Sequence, residues 1–186
     1  MNQKKLAMTC RFKHNKLNNM TFEEVEKLVV AWGYEKGIIF IGNEKKQMCK
    51  TFAEFGELSD EVLKNNREKI KDEAGDVLVT LCLQASMQGF SLSDSFFNLC
   101  YNGEDETDCL LSILDSISYC SNRLHSLSSL QCAGAISKWD MQTIVESLCN
   151  LLQHYQLTPA ECLEFAYNKI STRKGKTIDG TYIKEE

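Results

Sequence analysis

The sequence predicts an all-α protein, and three features point that way. A single proline occurs in 186 residues. Long stretches lack the alternation of a half-buried strand, and apolar residues recur instead at intervals of three and four. At 43% hydrophobic and 25% charged residues, the chain has the material for one domain, or two small ones, with a sizeable core. The expected architecture is a helical bundle that contains a helix hairpin carrying acids and ends in a short hairpin tail.

Residues 1–19 are polar and aperiodic and read as a loosely held arm. Thr21 and Glu24 make a capping box, and Phe22, Val25, Leu28, Val29 and Trp32 share one face of the helix it opens. Gly37 closes that helix, and IIFIGN reads as a link to a second helix from Asn43, a natural N-cap, to about Asn66. A third helix is expected from about Arg67 to Gly89, and a fourth from Ser91 or Ser93 to about Tyr101.

The acidic, glycine-containing run NGEDETD, residues 102–108, is the clearest boundary in the chain. It divides a helical unit over 20–102 from a second over 103–186. Helical patterns follow at about 108–127, 138–155 and 158–171. The last opens with Thr158 as cap, Pro159 at the first helical position and Glu161 closing the box. Asp179-Gly180, between short β-branched and aromatic pairs, signals a terminal hairpin.

The halves echo one another at an offset of 67, where Leu81-Cys82 falls on Leu148-Cys149. A tandem duplication and chance similarity of two capped helical hairpins both stay open. At that offset Glu54, Glu57, Glu73 and Asp76 fall on Ser121, Leu124, Asp140 and Thr143, so the second unit does not repeat the acids of the first.

A net charge of -5, a pI of about 5.3 and scattered Lys and Arg exclude an extended nucleic-acid surface. A small polyanion held by a divalent cation and a few local basic side chains is compatible with that balance. The nine cysteines include no CxxC pair and fall mostly at helical core positions, as reduced, buried small hydrophobes would. That usage, with no apolar stretch of membrane-spanning length, predicts a cytoplasmic protein with no membrane partner. His14, His125 and His154 are isolated from the acids in sequence and read as surface or packing residues.

On the second helix Gln47, Lys50, Glu54, Glu57 and Glu61 form one stripe, beside a mostly apolar one of Met48, Thr51, Phe55, Leu58 and Val62. On the third, Lys69, Glu73, Asp76 and Thr80 lie beside Ile70, Ala74, Val77 and Leu81. An antiparallel hairpin turning at Asn65-Asn66 brings Glu57 near Glu73. Four converging carboxylates, Glu54, Glu57, Glu73 and Asp76, repel unless a cation sits among them. Mg²⁺ suits that need, since it takes hard oxygen ligands and is shared between carboxylates and substrate phosphates. A solvated, ion-laced helix face, with Lys50 and Lys64 nearby, is the bland alternative.

Residues 47–85, QMCKTFAEFGELSDEVLKNNREKIKDEAGDVLVTLCLQA, resemble the MazG-type all-alpha nucleoside triphosphate pyrophosphohydrolases, a superfamily shared with the dimeric dUTPases, whose mark is ExxE followed by ExxD. EKLVVAWGYEKGI and the tail AYNKISTRKGKTIDGTYIKEE look like the short bacteriophage and bacterial members, while residues 103–156 do not match the short form. Many members carry two adjacent glutamates where this chain has Ala53-Glu54.

The resemblance implies that Glu54, Glu57, Glu73 and Asp76 bind Mg²⁺, with Mn²⁺ as a substitute. It implies hydrolysis of a nucleoside triphosphate to monophosphate and pyrophosphate. By the same carry-over Lys50, Asn168, Lys169, Arg173 and Lys174 contact phosphates or ribose, the last four making the tail a phosphate-contacting element.

Attack on phosphorus needs charge neutralisation and a deprotonated water, and either Glu54 or Glu57 is placed to take that proton. Trp32 and Phe12 are candidates for contact with a base, against plain roles in core and arm. A homo-oligomer, dimer or tetramer, is expected from the broad apolar seams of such a hairpin, which 103–156 would partly cover within one chain. The location implied is the cytoplasm, that of a host if the protein is phage-encoded. A helical protein that binds or sequesters nucleotides without turnover is the alternative function, and a plain helical scaffold a third.

Overall fold

Thr21 opens the structure. Its Oγ1 accepts from the Glu24 amide at 3.3 Å, and Glu24 Oε2 accepts from the Thr21 amide at 2.7 Å. This reciprocal cap starts α1, Phe22–Glu35, and Gly37, at φ 73°, turns the chain out of it. The computed structural model describes residues 20–97, 99, 103–126 and 135–185. Over these, α1 is followed by α2 (Ile38–Ile41), α3 (Glu44–Leu63), α4 (Arg67–Met87), a 3₁₀ turn (Leu92–Ser95), α5 (Glu106–Ser126), α6 (Lys138–His154) and α7 (Pro159–Ile170). Strands β1 (Gly175–Ile178) and β2 (Thr181–Lys184) pair antiparallel at the end. The protein is all-α with a small terminal hairpin.

The caps read from sequence are in place. Asn43 Oδ1 accepts from the amides of Lys45 and Lys46 at 3.0 and 3.1 Å, and Thr158 and Glu161 make their reciprocal pair under Pro159. Asp179 and Gly180, at φ 48° and 75°, form the left-handed turn a tight hairpin needs. Thr177 Oγ1 then donates to the Lys36 carbonyl at 2.8 Å, docking the hairpin against the end of α1.

Three expectations change. IIFIGN is not a plain link, because residues 38–41 make the single turn α2. The fourth helix does not form among the described residues. Only the 3₁₀ turn appears, and Phe96 leaves helical geometry (φ -90°, ψ 42°) to set its ring 4.4 Å from that of Phe22. Here an aromatic contact with α1 overrides local propensity. The acidic run is also partly helical: α5 begins at Glu106, with Asp105 Oδ1 accepting from the Asp108 amide at 2.9 Å. Carboxylates are favoured in a first helical turn, where they answer free amides and the helix dipole.

α4 is the central element, with α1, α3 and α7 packed around it. The inward stripes are as expected: Met48, Thr51, Phe55, Leu58 and Val62 on α3, and Ile70, Ala74, Val77 and Leu81 on α4, are all buried. Thr80, expected on the polar stripe, is buried too, because from Val77 to Ala85 every residue of α4 is enclosed. Its hydroxyl is satisfied by donating to the Val77 carbonyl at 2.7 Å.

α7 crosses α4 at Gly75, where an added Cβ would stand 2.3 Å from the Cys162 carbonyl oxygen. Only glycine permits that approach. α5 and α6 pack on each other, α5 lies on α3, and α6 meets α4 and the 3₁₀ turn. Among the described residues Cys82, Cys109, Cys120, Cys149 and Cys162 are buried free thiols, Cys49 is exposed, and no helix is long and apolar enough to cross a membrane.

Candidate functional site

α3 and α4 turn back on each other through three residues, with Asn65 left-handed at φ 52°. Glu61 is committed to that turn: its Oε2 accepts from Asn66 Nδ2 at 3.0 Å and its Oε1 faces Lys64 Nζ at 3.2 Å. The hairpin aligns the acids further along. Glu54, Glu57 and Glu73 each offer a carboxylate oxygen, and these atoms all lie within 4.8 Å of one another.

Their surroundings differ. Glu54 is buried and its Oε1 lies 2.6 Å from Lys50 Nζ, one turn back on α3. Glu57 is exposed and makes no ion pair among the described residues. Glu73 is half-buried, and burial, followed by the negative charges of Asp72, Asp76 and Glu57, pushes its carboxyl up to about 7 despite Lys169 nearby. The cations of the protein itself leave that repulsion largely unanswered. Oxygens on a six-coordinate Mg²⁺ at about 2.1 Å are roughly 3 to 4.2 Å apart, so side-chain shifts of a few tenths of an ångström would bring this set onto a hard divalent cation.

Asp76 stands outside the trio. Its Oδ2 lies 3.5 Å from Lys169 Nζ, which makes a closer contact with Asp72 Oδ1. Burial raises the Asp76 carboxyl most, with Glu54 and Asp72 adding to the rise while Lys169 and Arg173 oppose it. Lys169 reaches this place because the Gly75 crossing brings α7 hard against α4.

A cleft of about 510 Å³ opens beside the acids, and Lys50, Glu54, Asp76, Arg173, Trp32 and Tyr182 are among its lining residues. That is ample for a small-molecule ligand. Tyr182 comes from the terminal hairpin and meets the Trp32 ring edge-on, 5.4 Å between centroids at 65°. Trp32 Nε1 and the Tyr182 hydroxyl are both buried without a hydrogen-bond partner among the described residues. Lys50 and Arg173 are thus gathered at the cleft and Lys169 at its acids. Asn168 and Lys174 are exposed and do not line the cleft. Phe12 lies outside the described residues.

Two contributors were not expected from the sequence. Asp72 sits one helical turn before Asp76, a spacing visible in KDEAGD, but its partner Lys169 is 97 residues away. Tyr182 carries no local signal, since only the docking of the hairpin sets it against Trp32.

Fold and site together define a helical protein with a carboxylate cluster whose oxygens lie close enough together to hold a metal ion. Residues 43–101, which span α3, α4 and the 3₁₀ turn, match the model of the MazG nucleotide pyrophosphohydrolase domain. That segment is therefore similar to the MazG-like all-alpha domain, over about a third of the chain. Searches of curated proteins and of solved structures returned no match.

Proposed function

We propose that the protein is a Mg²⁺-dependent nucleoside triphosphate pyrophosphohydrolase, converting (d)NTP to (d)NMP and pyrophosphate, with Mn²⁺ able to substitute. The observation that carries this reading is the shared position of Glu54. It belongs both to the carboxylate trio and to the wall of a cleft that also holds Lys50, Arg173 and an aromatic pair. The family match over the same helices supports the reaction class.

Glu54, Glu57 and Glu73, joined by Asp76, would hold the cation. When bound, it neutralises phosphate charge and makes a coordinated water more acidic. Glu57 suits the role of proton acceptor better than Glu54, because it is exposed and Glu54 is tied to Lys50. Lys50 and Arg173 supply positive charge to phosphate oxygens, and Lys169 adds to it from the side of Asp76. Trp32 and Tyr182 offer an aromatic surface to the base. Asn168 and Lys174, exposed outside the cleft, are left without a role in it.

Pyrophosphate and nucleoside monophosphate release, measured across natural and modified triphosphates with and without Mg²⁺, tests the proposal. Metal-dependent release of both products from at least one triphosphate is expected. Absence of release from all of them overturns it, and calorimetric binding without product would mark a nucleotide-sequestering protein instead. Assembly into a dimer or tetramer belongs to the same reading. It is supported by the exposed aromatic and apolar side chains of Tyr34, Phe40 and Ile41 and is measured by light scattering.

A further inference from the structure

We infer that Asp72 is a positioning residue for the metal site, one that acts by holding Lys169 away from Asp76. The inference rests on the metal-binding part of the proposal above. Lys169 Nζ is shared unequally: it contacts Asp72 Oδ1 closely and reaches Asp76 Oδ2 at 3.5 Å. Both carboxylates are largely buried at the side chain, 17% exposed each, so the choice between them is made where solvent screening is weak.

A lysine side chain is long and flexible, and without an anchor it settles on the nearest carboxylate. Asp72 and Asp76 lie one turn apart on the same face of α4, and Gly75 lets α7 come close enough for Lys169 to reach both. Asp76 therefore has two suitors, the ammonium and a divalent cation shared with Glu54, Glu57 and Glu73. Asp72 settles the competition by keeping the ammonium for itself. Lys169 stays at the edge of the site, and the Asp76 carboxylate is left able to turn toward the trio.

This differs from a general effect of charge. If Asp72 attracted the cation only through space, its loss would weaken binding equally whatever stood at position 169. If it acts through Lys169, its loss matters only while the lysine is there. A double-mutant cycle separates the two.

The measurement is Mn²⁺ and Mg²⁺ affinity by calorimetry on the full chain, without nucleotide, for the native protein, Asp72→Asn, Lys169→Gln and the double variant. Helical circular dichroism is checked for each. Asp72→Asn is expected to weaken binding about fivefold and Lys169→Gln to tighten it, with Asp72→Asn in the Lys169→Gln background losing less than half of its former effect. A loss equal in both backgrounds, or no loss in either, overturns the inference while leaving the metal site intact. A native chain that binds neither cation overturns the inference and the metal site together.

Discussion

Two of the packed helix pairs, α3–α4 and α5–α6, treat their acids in opposite ways. In α5–α6, Asp140 stands where the offset of 67 places Glu73. Its Oδ2 accepts from the Ser137 amide at 2.7 Å and from the Ser137 hydroxyl at 2.8 Å, and lies 3.4 Å from Arg123 Nε. That carboxylate is answered within the protein, through Oδ2. In α3–α4, Glu73 faces Glu54 and Glu57, and its carboxyl is pushed up to about 7. The first pair is built for packing. The second stores like-charge repulsion that a cation from outside would relieve, and this contrast separates the site from an ordinary acidic helix face.

Removing acids from each pair should break the contrast most sharply. Glu57→Ala or Glu73→Ala is expected to lower pyrophosphate release at least about a hundredfold with helical circular dichroism unchanged. Next in size is the cation itself. Saturating Mg²⁺, at about a hundredfold over its dissociation constant, should stabilise the protein by about 2.7 kcal/mol. For a chain of this length, that corresponds to a rise of about 5–10 °C in a thermal melt, absent in Glu73→Ala.

Gly75→Ala forces α4 and α7 apart behind the acids and should destabilise by about 2 kcal/mol in urea titrations. Asp140→Ala removes a cap and should reduce stability by about 1 kcal/mol while leaving pyrophosphate release as it was.

The smallest effect is on pH. Glu73 holds its proton more tightly in the folded chain, at about 7, than at its ordinary value of 4.5. Ionising it therefore opposes folding. Its contribution should lower the stability of the metal-free protein as pH rises from about 4.5 to 7, and no further above that. Mg²⁺ displaces that proton, so the metal-induced rise in melting temperature should be larger at pH 8 than at pH 5.5, with Glu73→Gln flattening the difference. Melts at the two pH values with and without Mg²⁺ measure this directly.

Much of this organisation was legible in the residues. The stripes of α3 and α4 named both the buried seams and the flanking acids, because helical periodicity converts spacing into direction. The caps at Thr21, Asn43 and Thr158 and the Asp179-Gly180 turn were equally readable, each resting on bonds between residues only a few positions apart. Glu61 followed the same stripe yet belongs to the turn, since Lys64 and Asn66 compete for it locally. Among the described residues the fourth helix is missing for the opposite reason. Phe96 finds Phe22 across the fold, and no pattern within residues 91–101 reports a ring 74 positions away.

By itself, the sequence determined the helical class, the hairpin that aligns Glu54 and Glu57 with Glu73, and the absence of a matching set of acids at the offset of 67. These follow from periodicity and local hydrogen bonding, which act over a few residues. Only the tertiary structure decided that Lys169 stands between Asp72 and Asp76, closer to Asp72, and that Trp32 meets Tyr182 over the cleft. Each of those pairings joins α7 or the terminal hairpin to α4 or α1, and each exists because close packing at Gly75 and the docked hairpin bring together groups that local spacing cannot relate.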